Sequence, residues 1–425
     1  MTQSKFLPQA FWAAAAILLS GTTVQAQDAE EFAGKFAETY RSGGYDVDFG
    51  PGEVDGDTIR YDGVTITLVG APEPSEPMTL DTTLTFDGVV RQADGSYRAE
   101  SLSVPDVDVT AEGVHVLMRN LVIKDIYLPA EIPDGFAAAL QMAAHFSAGP
   151  LEVSVPDAGR FAMESFTSET EFFPAQDAAV LERLSAVTEA KGLEIDLSTV
   201  TEPQARAVID ALGLGQVSGE GRQVMSWSMD DGRMQVTESS ITLDGLGKLD
   251  FTMDISGYTP ELMSELSILQ AELTALPEAE RRSREEAMGM DLLQRFTVAG
   301  LALRYEDQSL AGRLLDYFAQ AQNADRATFV AGLQVIVPAL LAQSGSATLV
   351  DQAGSAVTDF LADPQSFEAR LAPATPVNML TLVQTGDPEA IAQMLGLSIA
   401  ANAPAAPPAE TAAPPATDGG SAGRR

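Results

Sequence analysis

From Tyr45 to Pro129 apolar and polar residues alternate, with turn-forming pairs between the runs. "GDTIRYDGVTITLVG" alternates around Asp62-Gly63, and "MTLDTTLTFDGVVRQADGSYRAESLSV" reverses at Asp94-Gly95. Asp-Gly tolerates the positive φ angles of tight hairpins. Residues 45 to 128 therefore read as an antiparallel meander. A second meander spans residues 223 to 258, with Met225, Trp227 and Met229 on one side and a turn at Asp231-Gly232. Within it, "ITLDGLGKLDFTMDISGY" predicts a hairpin whose Ile241, Leu243, Leu249, Phe251, Met253 and Ile255 share a face.

Helical spacing marks other stretches. In "AEEFAGKFAETYRSGG" Phe32, Phe36 and Tyr40 recur every fourth residue, with Gly43 and Gly44 as the stop. "DGFAAALQMAAHF" predicts a helix ending at His145 and Phe146, and "AAVLERLSAVTEAKG" another. "EPQARAVIDALGLG" predicts a helix stopped by Gly213. From Thr259 the chain is mostly helical, apart from strands in "RFTVAGLALRYED" and "SFEARLAP". Ser309 is the expected N-cap of a helix with Leu310, Leu314 and Phe318 on its buried stripe. "ATFVAGLQVIVPALLA" predicts a buried helix kinked at Pro338, too short and interrupted to span a membrane. The simplest assembly lays these helices over the second meander, so that its apolar face is core; a face left partly open to a lipid-like ligand is the alternative. The fold class expected is α+β, with curved antiparallel meanders flanked by amphipathic helices and a more helical C-terminal part.

Four segments follow. Residues 1–26 read as a signal peptide, with Lys5, the apolar run Ala10–Leu19, and small residues in Val24-Gln25-Ala26 before an acidic stretch. Residues 27–190 form a β-rich region, 191–399 a second meander packed with helices, and 400–425 a disordered Ala/Pro-rich tail. "EPQARAVIDALGLGQVS" is faintly echoed by "DPEAIAQMLGLSIA" and, more loosely, by "IPDGFAAALQMAAHFSAGPLEVSV".

With 45% hydrophobic residues the chain can build a large core. It has no cysteine, which excludes disulfides, thiol chemistry and acylation beside the cleavage site. Its 61 acidic residues against 25 basic ones repel nucleic acid and anionic headgroups. His115 and His145 are the only histidines and lack ligand spacing. Asp46/Asp48, Asp55/Asp57 and Asp106/Asp108 would each place two carboxylates on one strand face, as calcium binding or glycoside hydrolysis requires. The calcium-loop register is not met, and one tryptophan, Trp227, remains after the signal peptide to serve as a sugar platform. No catalytic, metal or cofactor residue is therefore nominated.

Residues 29–128, with "GDTIRYDGVTIT", and the segment "LDGLGKLDF" resemble uncharacterised exported proteins of Gram-negative envelopes. The long meanders resemble, more remotely, the AsmA-like lipid-handling proteins. The resemblance implies a periplasmic, non-enzymatic binding protein whose partner is an apolar ligand or an envelope protein. A carboxylate-based hydrolase and a purely structural envelope protein are the alternatives.

Overall fold

The computed structural model describes residues 28–405 except 43–44, 69–76, 112, 132–142 and 175–180. The signal-peptide expectation, the tail beyond residue 405, the Gly43-Gly44 stop and residues 132–142, which hold most of the helix expected at 134–146 and the start of the third echo segment, lie outside the described residues. The expected tail starts later than residue 400, because Ala400 and Ala401 belong to the last strand. The rest is α+β, built on one antiparallel sheet that does not close on itself.

The chain opens with α1 (Ala29–Ser42). Then follow β1 (Tyr45–Phe49), β2 (Gly52–Asp55), β3 (Thr58–Leu68), β4 (Met78–Asp87), β5 (Val90–Arg91), β6 (Tyr97–Val104), β7 (Val107–Ala111), β8 (Val114–Met118) and β9 (Leu121–Leu128). β10 (His145–Ala148), β11 (Leu151–Val155), β12 (Gly159–Met163), β13 (Ser165–Pro174) and β14 (Leu181–Asp196) lead to α2 (Pro203–Leu212). β15 (Gln216–Ser228), β16 (Met234–Leu243) and β17 (Gly247–Ser256) make the second meander. α3 (Pro260–Ala275), α4 (Glu278–Arg295), β18 (Thr297–Asp307), α5 (Leu310–Ala321), α6 (Arg326–Leu341) and α7 (Ala347–Ala362) follow. β19 (Ser366–Leu371), β20 (Val377–Asn378), α8 (Met379–Thr385), α9 (Pro388–Met394) and β21 (Leu397–Ala401) complete it.

The ladder runs β1-β3-β4-β6-β9-β10-β13-β14-β15-β16-β17-β18-β19-β21. A branch, β7-β8-β11-β12, joins it at the far end of β14. The expected meanders are thus parts of one sheet.

The first core lies under α1. Its four-residue spacing sets Phe32 and Phe36 against Phe86, with ring centroids 4.9 and 5.5 Å apart. Phe49 and Tyr61 close on Phe86 from the sheet. The helix is tied down at its polar edge: Tyr97 donates to Glu31 at 2.8 Å and Tyr61 to the Ala29 carbonyl at 2.6 Å. A second, smaller core gathers Leu181, Leu184, Trp227 and Met229 beneath Tyr258 and Met263. Trp227 donates its indole N–H to the Tyr258 carbonyl at 2.7 Å.

Several expectations change. The helix expected over "AAVLERLSAVTEAKG" is overturned from residue 181 onward: β14 occupies Leu181–Asp196. Its Ala, Glu and Leu content favours helix, but β14 pairs with β13 and β12 on one side and β15 on the other, and that pairing overrides propensity. His145 begins β10 and does not end a helix. Asp62-Gly63 is not a turn: β3 runs through it with a register shift, and Gly63 has φ 90°. There the positive φ serves a bulge. The tight turn falls earlier, at Gly56-Asp57 between β2 and β3.

In α5 the buried residues are Leu315 and Ala319, and Phe318 points outward. Ser309 does not cap this helix; its hydroxyl donates to the Gly245 carbonyl, while Asp307 accepts the Ala311 N–H at 2.8 Å. α6 contains Pro338 as expected but buries none of its residues. Arg326–Ser344 is also long and apolar enough to cross a membrane by length and composition, contrary to expectation.

α2 behaves as the sequence predicts. Glu202 accepts the N–H groups of Gln204 and Ala205, Pro203 opens the helix, and Gly213 closes it at φ 66°. The echo segment repeats this chemistry, with Asp387 capping Glu389 and Ala390, Pro388 opening α9, and Gly396 at φ 57° before β21.

Candidate functional site: an uncovered face of the sheet

Paired residues in a ladder share a face, so register traces each face across the whole sheet. One face carries the ion pairs. Arg222 reaches Glu189 and Glu238, Arg160 reaches Glu152 and Glu194, and Arg304 reaches Glu306 and Glu368. The exposed pairs of Arg222 and Arg160 stabilise weakly, but they mark the side that faces water, whereas Arg304 and Glu368 are each 12% exposed.

The other face has a different character. One row crosses it as Phe172, Leu184, Trp227, Met234, Ile255, Val298 and Val377. The next crosses as Ala186, Met225, Val236, Met253, Leu301, Leu371 and Leu397. A further row joins Phe166, Ala190, Gly221, Ile241, Leu249, Tyr305 and Phe367. The branch adds Val109, Val116, Val153 and Phe161, which meet β14 at Ile195. Among the described strand residues of β7, β8 and β10–β21 in these ladders, Asp307, at the end of β18, is the charged exception on this face. Its carboxylate is engaged by the Tyr305 hydroxyl at 2.7 Å.

This uncharged face is covered at its edges and bare between them. Tyr258 and Met263 cover the Trp227 row, and Phe360 of α7 covers Tyr305 and Phe367. Between these lids Ile241, Leu249 and Leu303 keep 51%, 43% and 44% of their surface exposed. On the branch Val109, Val153, Val155 and Phe161 are also exposed. The stretch expected to be core is therefore divided. Trp227, Met229 and Val236 are buried; Phe251, Met253 and Ile255 are half-buried; Ile241 and Leu249 are open. The helices expected to cover them do not: α5 buries Leu315 and Ala319, and α6 buries nothing.

A short polar stripe interrupts the face. Ser168, Thr188, Gln223 and Ser239 stand in register across four strands, and Ser168 and Thr188 share a hydrogen bond of 3.2 Å. A cavity of about 410 Å³ lies apart, between α3 and α4, against Leu262, Leu266, Leu269, Met288 and Leu292.

The titratable candidates do not converge here. His115 is on β8, on the charged face, 3.0 Å from Asp108 and 3.9 Å from Glu152. His145 faces Glu169 at 3.8 Å. Asp46 and Asp48 share β1, with Asp46 engaged by Arg41. Asp55 ends β2 and Asp57 lies in the turn that follows. Asp106 precedes β7 and accepts the Asn120 N–H, while Asp108 lies within the strand. Neither pair therefore presents two carboxylates on one strand face. Among the described residues no group of three or more such side chains could hold a metal ion.

Strand parity showed part of this face in the sequence: Glu220 and Arg222 alternate with Gly221, Gln223 and Met225. What it missed is the continuity from strand to strand. Register shifts at Ala190/Leu193, Val236/Ser240 and Asp254/Ile255 break any parity count along the chain.

A family model described as "Uncharacterized protein" matches residues 240–402. That span begins within β16 and takes in the open residues Ile241, Leu249 and Leu303. No curated protein matches the chain.

Proposed function

We propose that this chain is a non-enzymatic periplasmic binding protein of the cell envelope that holds an apolar, lipid-like ligand against its uncharged sheet face. The observation that carries the reading is the placement of the exposed apolar side chains. Val109, Val153, Val155, Phe161, Ile241, Leu249 and Leu303 all project from that face, while the ion pairs occupy the other. Exposed apolar surface on this scale in a chain of net charge −36 is the usual mark of a binding surface. The apolar leader, Ala10–Leu19 followed by Val24-Gln25-Ala26, supports export. The likeness of the long meanders to AsmA-like lipid-handling proteins points to the same ligand class.

Protein purified from the periplasm, extracted and analysed by mass spectrometry, tests the reading. Acyl lipid should co-purify near stoichiometry and be lost from a Leu249→Asp, Leu303→Asp variant that still melts cooperatively. Lipid-free protein that also ignores fluorescent acyl probes would refute it.

A further inference from the structure

Among the described helices, α6 with the turn after it is the one long and apolar enough to cross a membrane by composition, and none of the residues of α6 is fully buried. No charged residue occurs between Arg326 and Asp351. The segment Arg326–Ser344 has a mean hydropathy of 1.6 and is 6% buried. Val335, Ile336 and Leu340 are 72%, 54% and 60% exposed. The rest of the chain carries 61 acidic residues, so this gap in charge is local.

The helix is fixed to the body. At its start Arg326 binds Asp316 at 2.6 Å and the Gly312 carbonyl at 2.6 Å. Midway, the Gln334 amide donates to the Thr358 carbonyl at 3.2 Å. Just past its end, Ser346 caps α7 and also donates to Glu389. A helix held at both ends and the middle lies along the protein and does not stand across a bilayer.

We propose that α6 is a membrane-docking element, lying in the interface of a bilayer with neutral headgroups and burying Val335, Ile336 and Leu340 among the acyl chains. Its 16 residues extend about 24 Å along the surface, and interfacial helices bury their apolar face only about 5–10 Å into the headgroup and acyl boundary. A second copy fits less well. Three partly exposed side chains offer on the order of 300 Å², against roughly 800 Å² per partner in a stable interface. Charge selects the headgroup: a body of net charge −36, with no cation between Arg326 and Asp351 to offset it, is repelled by anionic lipid.

The absence of cysteine permits a direct test. Ile336→Cys in the full chain carries a single environment-sensitive fluorophore, and Asp55→Cys, exposed on β2, carries the control. Phosphatidylcholine vesicles should brighten and blue-shift the label at 336 and leave that at 55 unchanged. Replacing half the lipid with phosphatidylglycerol should weaken partitioning at least fivefold. Adding Val335→Asp and Leu340→Asp should abolish the response without moving the thermal midpoint. The proposal is overturned by a silent label at 336, or by a response that follows protein concentration without vesicles. Quenching strongest from doxyl groups deep in the bilayer would also overturn it, since that signals a spanning helix.

Discussion

Ile241 and Leu249 stand opposite one another across β16 and β17, and both remain open to solvent. A directly opposed apolar pair normally contributes to a sheet by being covered. Here the pair lies between two lids and neither reaches it. An Asp at either position meets no packed neighbour from another layer, and surface changes of this kind alter stability by about 0.5 kcal/mol or less. Leu249→Asp is therefore expected to melt within a degree or two of the parent while losing affinity for an apolar dye such as a naphthalene sulfonate. A melting temperature lowered by ten degrees or more would show that this face is packed in solution.

Phe86 behaves oppositely. It is fully buried and meets the rings of Phe32, Phe36, Phe49 and Tyr61. Phe86→Ala removes the centre of that cluster and should destabilise the chain by about 3–5 kcal/mol. Urea unfolding followed by aromatic fluorescence and circular dichroism would measure it. A loss below about 1 kcal/mol would mean that the cluster collapses around the gap.

The contrast between these two positions shows how much of the fold was legible. Around Phe86 the sequence is locally consistent: phenylalanines every fourth residue in α1, alternation in the strands, and Asp-Gly at reversals. Pro203 and Gly213 likewise bracket α2 as their backbone preferences require. β14 was hidden because its residues favour helix while its two neighbours supply the hydrogen bonds of a strand. In α6, Phe329, Leu333 and Val337 trace a helical stripe, yet Val335, Ile336 and Leu340 are apolar too, so periodicity could not say which side packs. The candidate face was illegible for a third reason: parity is local to a strand, and bulges reset it between strands.

Glu389 ties α9 to the start of α7, and this contact depends on pH. The Thr348 hydroxyl donates to it at 2.7 Å, the Thr348 N–H at 2.9 Å and the Ser346 hydroxyl at 2.8 Å. Those donors, together with Gln393, hold its carboxyl down to about 2 from an ordinary 4.5. A folded value below the unfolded one means that the contact is intact above the ordinary value and is lost as pH falls toward the folded value. Amide exchange in α7 and α9 should therefore quicken as pH falls from about 4.5 to about 2, after correction for intrinsic rates. Glu389→Gln should exchange faster at neutral pH and show little further change across that window. Equal acid sensitivity in both proteins would assign the effect to other carboxylates.

Arg304 holds the last strand. Its side chain and that of Glu368 are each 12% exposed, and the two meet at 3.1 Å across β18 and β19. The same guanidinium donates to Glu306 at 2.8 Å and to the Ala403 carbonyl at 3.0 Å, just beyond β21. Arg304→Met leaves Glu368 with Arg370 as its remaining cation partner, at 2.9 Å, and leaves the Ala403 carbonyl without this donor. Breaking a well-buried pair costs about 3–5 kcal/mol, and the remaining partner reduces that here, so a loss of about 2 kcal/mol is expected. Exchange should rise first at residues 397–401, because among the described strands β21 pairs with β19 alone. The double change Arg304→Met, Glu368→Met removes the stranded charge with its partner. It should regain at least half the loss, since an apolar pair of similar volume avoids the cost of desolvating two ions. Denaturant midpoints of the two variants and the parent decide the matter. A double variant less stable than Arg304→Met alone would mean that the ion pair stabilises beyond its desolvation cost, and that β21 is held by charge more than by its ladder.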